Sequence, residues 1–436
     1  MIALMFHPVF GRLFAAQVLA LVGTGLLTVA LGLLAFDLAG AAAGAVLATA
    51  YTIKMVAYVG LSPLAGALVS GLPRRLVLIC ADLTRAGVAL SLPFITEIWQ
   101  IYLAIFLLQT ASAVFTPTFQ ATIPDILSDD DDYAKALSLS RLAYDLENLL
   151  SPAIAGLLLL VMSYHWLFGG TVIGFVLSAL LIGTTALPPR GNPKDRPFRE
   201  RLTRGIRIYL ATPRLRGLWS LTLTAAAGSA FVIVNTVVVV RDGFGLADGD
   251  VAIALAAFGA GSMVAALALP AVLRTLSDRR VMLAGAGIMT AVMLLLSVFR
   301  PDWTAFLILW AVLGLSYAAI ITPSGRLLRR SAHSEDRQAV FTAQFALSHI
   351  CWLVTYPLAG ATMTAWGMAL SMGVLSAVCI LGIGLALLFW PEGDPVVVTH
   401  THPDLPYDHP HLQGKGHTHT HALIIDDEHH VWPTHG

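Results

Sequence analysis

Along its length the chain alternates long apolar runs with short polar breaks. A helix crosses the hydrocarbon core of a bilayer in about 20 residues, and windows of that kind fall at 13–36, 43–70, 76–96, 100–120, 137–162, 165–187, 217–240, 249–272, 279–299, 302–324, 338–363 and 367–390. The break at Ser163-Tyr164-His165 parts the fifth window from the sixth. The pattern predicts an all-α membrane protein of twelve transmembrane helices. An even number of crossings returns the C-terminus to the face from which the N-terminus starts.

The polar breaks differ in charge. Those on one face hold Arg12, Arg74, Arg75, Lys135, nine basic residues within 188–216, Arg274, Arg279, Arg280, Arg326, Arg329, Arg330, Arg337 and Lys415. Breaks on the other face hold only Arg241 and Arg300. Retained positive charge marks the cytoplasmic side, so both termini and the long middle loop are expected in the cytoplasm, with the body in a bacterial-type inner (plasma) membrane. The first span runs past a signal peptide's apolar stretch of about 7–15 residues and is expected to remain.

The chain also repeats itself at an offset near 205 residues. Pro8 matches Pro213, Asp37 matches Asp242, Arg74-Arg75 matches Arg279-Arg280, Trp99 matches Trp303, Thr116-Pro117 matches Thr322-Pro323, and Pro152 matches Pro357. An ordered ladder of this kind argues for duplication. Each copy holds six spans, so the two run in the same direction, an arrangement that places a substrate path between the halves near the membrane midplane. The resulting division is an N-terminal half (1–187), a basic linker (188–216), a C-terminal half (217–390) and a tail (391–436).

Composition agrees with this reading. Of 436 residues 57% are hydrophobic and 12% charged, with a mean hydropathy of +0.77, whereas soluble domains carry roughly 25% charged residues. Lys plus Arg and Asp plus Glu balance at 26 each, so nothing points to nucleic acid. Cys80, Cys351 and Cys379 show no motif spacing. No phosphate-binding glycine loop or catalytic constellation stands out, so neither an enzyme nor ATP-driven transport is indicated.

Between spans two and three lies Gly66-Ala67-Leu68-Val69-Ser70-Gly71-Leu72-Pro73-Arg74-Arg75. With six plus six spans and a basic central loop, residues 1 to about 390 resemble the major facilitator superfamily, whose turn at this place reads Gly, three residues, Asp-Arg, one residue, Gly and two basic residues. This chain keeps the first Gly and the basic pair but has Ser70 where the Asp belongs; the second copy, Ser277-Asp278-Arg279-Arg280, keeps an acid. The stretch Leu76 to Ala86 resembles the exporter branch, which includes macrolide and siderophore pumps and nickel/cobalt efflux permeases.

Ten of the chain's 14 histidines lie in the tail. They form the pairs His400/His402 and His409/His411, the triplet His417/His419/His421, and His429-His430, with Asp404, Asp408, Asp426, Asp427 and Glu428 among them. Imidazoles one residue apart point the same way in an extended chain, and nitrogen donors without thiols suit nickel, cobalt, zinc or copper. A His-rich cytoplasmic tail is similar to that of the nickel/cobalt permeases. That resemblance implies export of a divalent metal, with protons as counter-ion, no resident cofactor and a monomeric chain. The tail follows Pro391 without apolar periodicity, so it is expected to add nothing to the packed core. A flexible solubilising tail is the plainer alternative.

Charges inside the spans are costly, about 2.5–3.5 kcal/mol each on the insertion scale. Lys54, Glu147 with Asn148, and His349 are therefore candidates for the path, Glu147 foremost as a carboxylate for cation or proton; an internal ion pair with Lys54 is the alternative. Of His349 and Cys351, two apart on a helix, one at most can line the path. Asp37 and Asp242 match at the outer ends of spans one and seven, where simple interfacial placement is the alternative. Arg141 and Asp145, at i and i+4, are expected to form a gate or structural ion pair, with Arg74, Arg75, Asp278, Arg279 and Arg280 at the cytoplasmic gate. Asp129 to Asp132 read as a helix cap that also pairs with the basic linker. The stretches Ala39–Gly44 and Ala254–Gly261 read as close helix packing.

Three functions remain open on sequence: proton-coupled export of nickel or cobalt, export of an organic solute of the drug, macrolide or siderophore type, and a membrane-embedded metal sensor.

Overall fold

The computed structural model describes residues 2–39, 43–188, 196–393, 397–401, 406, 411–412 and 417–432. Six spans form the first half: α1 (Phe10–Ala39), α2 (43–69), α3 (Arg74–Ser91), α4 (Ile98–Ile126), α5 (Asp130–Leu159) and α6 (His165–Gly183). A connecting helix, α7 (Phe198–Ala211), leads into the second half, α8 (Pro213–Val238), α9 (Asp248–Thr275), α10 (Asp278–Val298), α11 (Trp303–Ile321), α12 (337–366) and α13 (368–389). The last two share one 53-residue helical segment, turned at Gly367, whose φ of 75° lies in the left-handed region that side chains avoid. By length and apolarity alone ten segments qualify as spans. The count reaches twelve because the 53-residue segment holds two, and because α5, a 30-residue helix, is the sixth long helix of the first half.

Local chemistry sets several helix starts. Asp129 accepts from the Asp132 backbone N–H at 2.9 Å and Asp302 from that of Ala305 at 2.8 Å, while Ser277 caps α10. The Asp129 cap starts α5 seven residues before the apolar pattern does. Of the acids after it, Asp130 pairs with Arg329 at 3.0 Å and Asp131 with Arg274 at 2.7 Å, both in the second half, and Asp132 with Lys135 of the same helix; among the described residues none pairs with the linker.

The duplication shows in the packing. Thr171 on α6 donates to the Gly23 carbonyl of α1 at 2.9 Å, and Thr224 on α8 donates to the Cys379 carbonyl of α13 at 3.1 Å, so the first and last spans of each half are joined alike. Lipid offers no hydrophobic drive between helices, and contact depends on backbones coming close. Gly261 on α9 and Gly314 on α11 meet in this way, since a Cβ on either would run into the facing backbone carbonyl. Gly40 to Ala42, in the other small-residue stretch, lie outside the described residues.

Both termini share one face, here called the terminal face. Arg12 donates to the Thr184 carbonyl at 3.1 Å, just before the linker, and the tail reaches the connecting helix through Asp427. The linker is more than a loop. Its helix α7 is amphipathic and buries Arg204, Gly205, Ile208 and Tyr209.

The tail departs from expectation. Residues 397–401 and 418–422 pair as antiparallel strands β1 (Val397–Thr401) and β2 (Thr418–Ala422), with His400 opposite His419. Ile425 belongs to the main core cluster, Leu412 and Leu423 are buried, and Trp432 lies under the Arg214 guanidinium at 4.9 Å. Asp427 bonds Arg196 at 2.7 and 2.8 Å and Arg204 at 2.8 Å. Asp426 holds His429 at 2.8 Å and His333 at 3.3 Å. The expectation of a tail outside the core therefore fails, because single apolar side chains dock without any periodicity.

Burial alone would raise the Asp426 carboxyl, but hydrogen bonds from His333 and His429 hold it below the usual range; its bond to Asp426 likewise raises His333. A raised histidine stabilises below its unfolded pKa of about 6.5 and loses that contribution as pH climbs through the raised value. Removing residues 397–436 should lower the thermal unfolding midpoint of the purified protein, and the difference should shrink between pH 6 and pH 9. An unchanged midpoint would mean that the tail is solvated.

Candidate functional site

Between the halves lies a cavity of about 850 Å³. A second space of about 440 Å³ shares Gln17, Lys54, Tyr58, Tyr144, Trp352 and Tyr356 with it and continues toward the terminal face. The first half contributes Lys54 and Tyr58 from α2, Arg85 from α3, Phe115 and Phe119 from α4, and Tyr144 and Glu147 from α5. The second half contributes Ile233 and Val234 from α8, and Trp352 and Tyr356 from α12. A π-helical turn over Ala57–Leu61 interrupts α2 just beyond Lys54. Turns of this kind shift the helical register, and here Lys54 and Tyr58 face the same space, the ammonium 5.6 Å from the Tyr58 ring centre.

Glu147 is carried at mid-depth where α5 presses on α1. Gly25 makes this approach possible, since a Cβ there would collide with Ser151 and reach within 3.6 Å of the Glu147 side chain. Lys54 and Glu147 form no direct ion pair but act on each other electrostatically. Arg85 is neutralised differently: it pairs with Asp82, which is fully buried and accepts from Ser178 at 2.7 Å, and its guanidinium lies over Phe115 at 4.2 Å and Phe175 at 4.5 Å. Glu147 is thus the cavity carboxylate that no ion pair consumes.

His349 lines the space toward the terminal face. Its Nδ1–H donates to the Phe345 carbonyl at 2.6 Å, which leaves Nε2 as the acceptor, and its ring stands edge-on to Tyr58 at 4.7 Å. Cys351 is buried off the path. Asp37 and Asp242 lie at the outer ends, exposed and outside both cavity walls, with Asp37 accepting from Tyr164 at 2.6 Å. Placement in the path is corrected for these two. The side chain of Asn148 lies outside the described residues.

The cavity is closed toward the terminal face by charge. Asp125 at the end of α4 pairs with both Arg74 of the first half and Arg337 of the second. Arg329 pairs with Asp130 and bonds the Ser128 carbonyl. Higher up, Arg141 pairs with Asp145, and both bond Ser262 on α9, at 3.1 and 2.7 Å. Arg74, Arg141 and Asp145 therefore do join the halves. Asp278 pairs with Arg326 and Arg279 reaches the Trp390 carbonyl, both within the second half, while Arg75 and Arg280 are exposed. These four, also expected at the cytoplasmic gate, lie at the starts of α3 and α10. Toward the opposite face Ile233 and Val234 of α8, both on the cavity wall, are 55% and 37% exposed.

The tail histidines do not assemble into a cage. His411 and His419 bring their Nε2 atoms within 3.1 Å and the His411 ring is 4.8 Å from that of His429, yet among the described residues no group of three or more His, Cys, Asp or Glu is placed to hold a metal ion. His417 is half-buried and His430 exposed. His402 and His409 lie outside the described residues, as do the side chains of His400 and His421.

Sequence reasoning missed Arg85, Asp125, Arg337 and the aromatic walls. Tyr and Trp count as apolar in a hydropathy window, and Asp125 sits at a helix end where acids look unremarkable.

The Major Facilitator Superfamily matches residues 13–278 and 219–405, and the chain belongs to that family. It is a membrane transporter and not an enzyme. Among named relatives, macrolide efflux protein A of Streptococcus pyogenes is 23% identical over 321 residues, 70% of this chain and 77% of that protein. The enterobactin exporter EntS of Shigella boydii is 33% identical over 89 residues, 20% of this chain and 21% of that one. Among solved structures, the human organic anion transporter MFSD10 and a bacterial homologue of the iron transporter ferroportin, in its outward-facing state, each superpose with a TM-score of 0.71. They cover 87% of this chain and 99% and 98% of theirs, at 13% and 14% identity.

Stranding one partner of a buried ion pair costs about 3–5 kcal/mol. Asp125→Asn, which leaves Arg74 facing Arg337, should therefore open the terminal face. In a Cys80→Ser background, Thr322→Cys on the inner cavity wall should react at least tenfold faster with an impermeant thiol reagent added to that side; an unchanged rate would show that Asp125 is no latch.

Proposed function

We propose that the protein exports an amphipathic organic base from the cytoplasm in exchange for protons, with Glu147 as the carboxylate that binds one or the other. The observation that carries this reading is the cavity itself: about 850 Å³, with seven aromatic side chains in its wall and one carboxylate that has no direct ion pair among the described residues. A bare metal ion needs several converging donors and little space, whereas an organic cation gains from Tyr and Trp faces and from one counter-charge. Likeness to macrolide efflux protein A supports the same substrate class.

The mechanism follows from charge. Ionised Glu147 holds the cationic head of the solute while the aromatic side chains take its apolar body. Once protons reach Glu147 from the open side, its attraction is lost and the nearby Lys54 ammonium repels the solute. Retained Lys and Arg support a cytoplasmic terminal face, and a gate closed there at Asp125 fits an outward-facing state, from which solute leaves.

A second reading, export of nickel or cobalt, keeps one observation in its favour, the His411–His419 pair with 3.1 Å between nitrogens. That pair lies in the tail and not in the path, so metal would be a ligand of the tail and not cargo.

In proteoliposomes with an imposed pH gradient, a labelled macrolide should move against its own gradient and nickel or cobalt should neither move nor compete. Glu147→Gln, nearly equal in volume, should lower coupled transport at least tenfold while the protein still inserts. Metal movement without macrolide movement, or wild-type rates in the variant, would overturn the proposal.

A further inference from the structure

At the terminal face, apart from the transport cavity, three pieces of chain enclose a space of about 80 Å³. The first half supplies Ser70 and Arg74, the connecting helix α7 with the residues just before it supplies Arg196, Arg201 and Arg204, and the second half supplies Asp336, Gln338 and Thr342. Four arginines and two carboxylates, Glu335 and Asp336, face it.

Most of this charge is already engaged. Arg204 grips Asp336 and Asp427, Arg196 holds Glu200 and Asp427, and Glu335 acts electrostatically on His333. Arg74 uses its terminal nitrogen on Asp125. Three buried donors remain without a hydrogen-bond partner among the described residues: Nε of Arg74, a residue only 3% exposed, Nε of Arg201, and the Thr342 hydroxyl. Arg201 makes one bond, to Ser70 Oγ at 3.2 Å, and no ion pair among the described residues. The unpaired Gln338 Oε1 is an acceptor beside them.

A guanidinium whose buried Nε–H is unused and which makes no ion pair among the described residues calls for an anion. The volume fits a few waters or one tetrahedral oxyanion, and the three donors match its oxygens. Position 70 adds to the case, because a carboxylate there would lie beside Arg201 and this chain has only a hydroxyl. We propose that this space is a binding site for a phosphate-class oxyanion, free or borne by a lipid headgroup, held by Arg201, Arg74 and Thr342. Its donors come from both halves and the connecting helix, so an anion seated there clasps the terminal face shut and releases it on leaving.

The test uses the full chain. In detergent, inorganic phosphate at matched ionic strength against chloride should raise the unfolding midpoint saturably, by about 2 °C or more. Arg201→Gln should abolish the response. Ser70→Asp should supply the missing carboxylate internally, starting from a raised midpoint and ignoring phosphate, which keeps the test decisive if the arginine variant fails to fold. Nanodiscs separate the sources. If the headgroup is the ligand, phosphatidylglycerol raises the midpoint over phosphatidylcholine and makes added phosphate redundant; if free anion is the ligand, phosphate acts equally in both lipids. Indifference to phosphate and to anionic lipid alike, or a Ser70→Asp variant that responds as the wild type does, would overturn the site.

Discussion

One carboxylate shared by two arginines governs the state in which this molecule is found. Asp125 receives Arg74 from its own half and Arg337 from the other, in a setting dry enough that neither arginine can be left alone without a cost of several kcal/mol. Because the bridge is built from the end of α4 and the first residues of α3 and α12, it demands that three elements meet at one point of the terminal face. The Arg329 contacts and the Arg141–Asp145–Ser262 cluster continue the same seam upward. Toward the opposite face the seam stops, and the cavity lies where it stops.

Inside that cavity the balance of charge is what makes a cycle possible. A carboxylate satisfied by an adjacent arginine, as Asp82 is by Arg85, has no reason to exchange partners. Glu147 differs because its nearest cation, Lys54, acts on it without contact. It can give up a proton for an organic cation and take it back without breaking an ion pair first. On the proposed reading the aromatic side chains serve a solute with apolar bulk, and the tail, docked through Asp427 to Arg196 and Arg204, sits one ion pair away from Asp336, the neighbour of Arg337. The gate is thus in electrostatic contact with the connecting helix and the tail as well as with the two halves.

Much of the fold was legible in the chain because a bilayer imposes so strict a rule on apolar length. The exceptions have physical causes. The start of α5 escaped because Asp129 caps a helix whose first turns are polar and face the seam. The docking of the tail escaped because Leu412, Leu423, Ile425 and Trp432 bind as isolated knobs, with no period for a pattern to reveal. Of the candidate site, Lys54, Glu147 and His349 were visible as charges out of place in apolar runs, and the structure brings them to one continuous space. Arg85 and the Tyr and Trp walls were hidden by their own amphipathic character. The matched pair Asp37 and Asp242 stood out as a repeat yet lies away from the path, because duplication preserves interfacial positions as readily as functional ones. The His-rich tail drew attention to metal, whereas the cavity and the relatives of this chain speak for a larger solute.

The account rests on Glu147 trading a proton for an organic cation, and that exchange can be watched directly. Purified protein in lightly buffered detergent, near neutral pH with an indicator dye present, should acidify the solution when a macrolide is added, with a proton released as each solute binds, and Glu147→Gln should bind without release. Binding by the wild type with no pH change, or the same release from the variant, would contradict it.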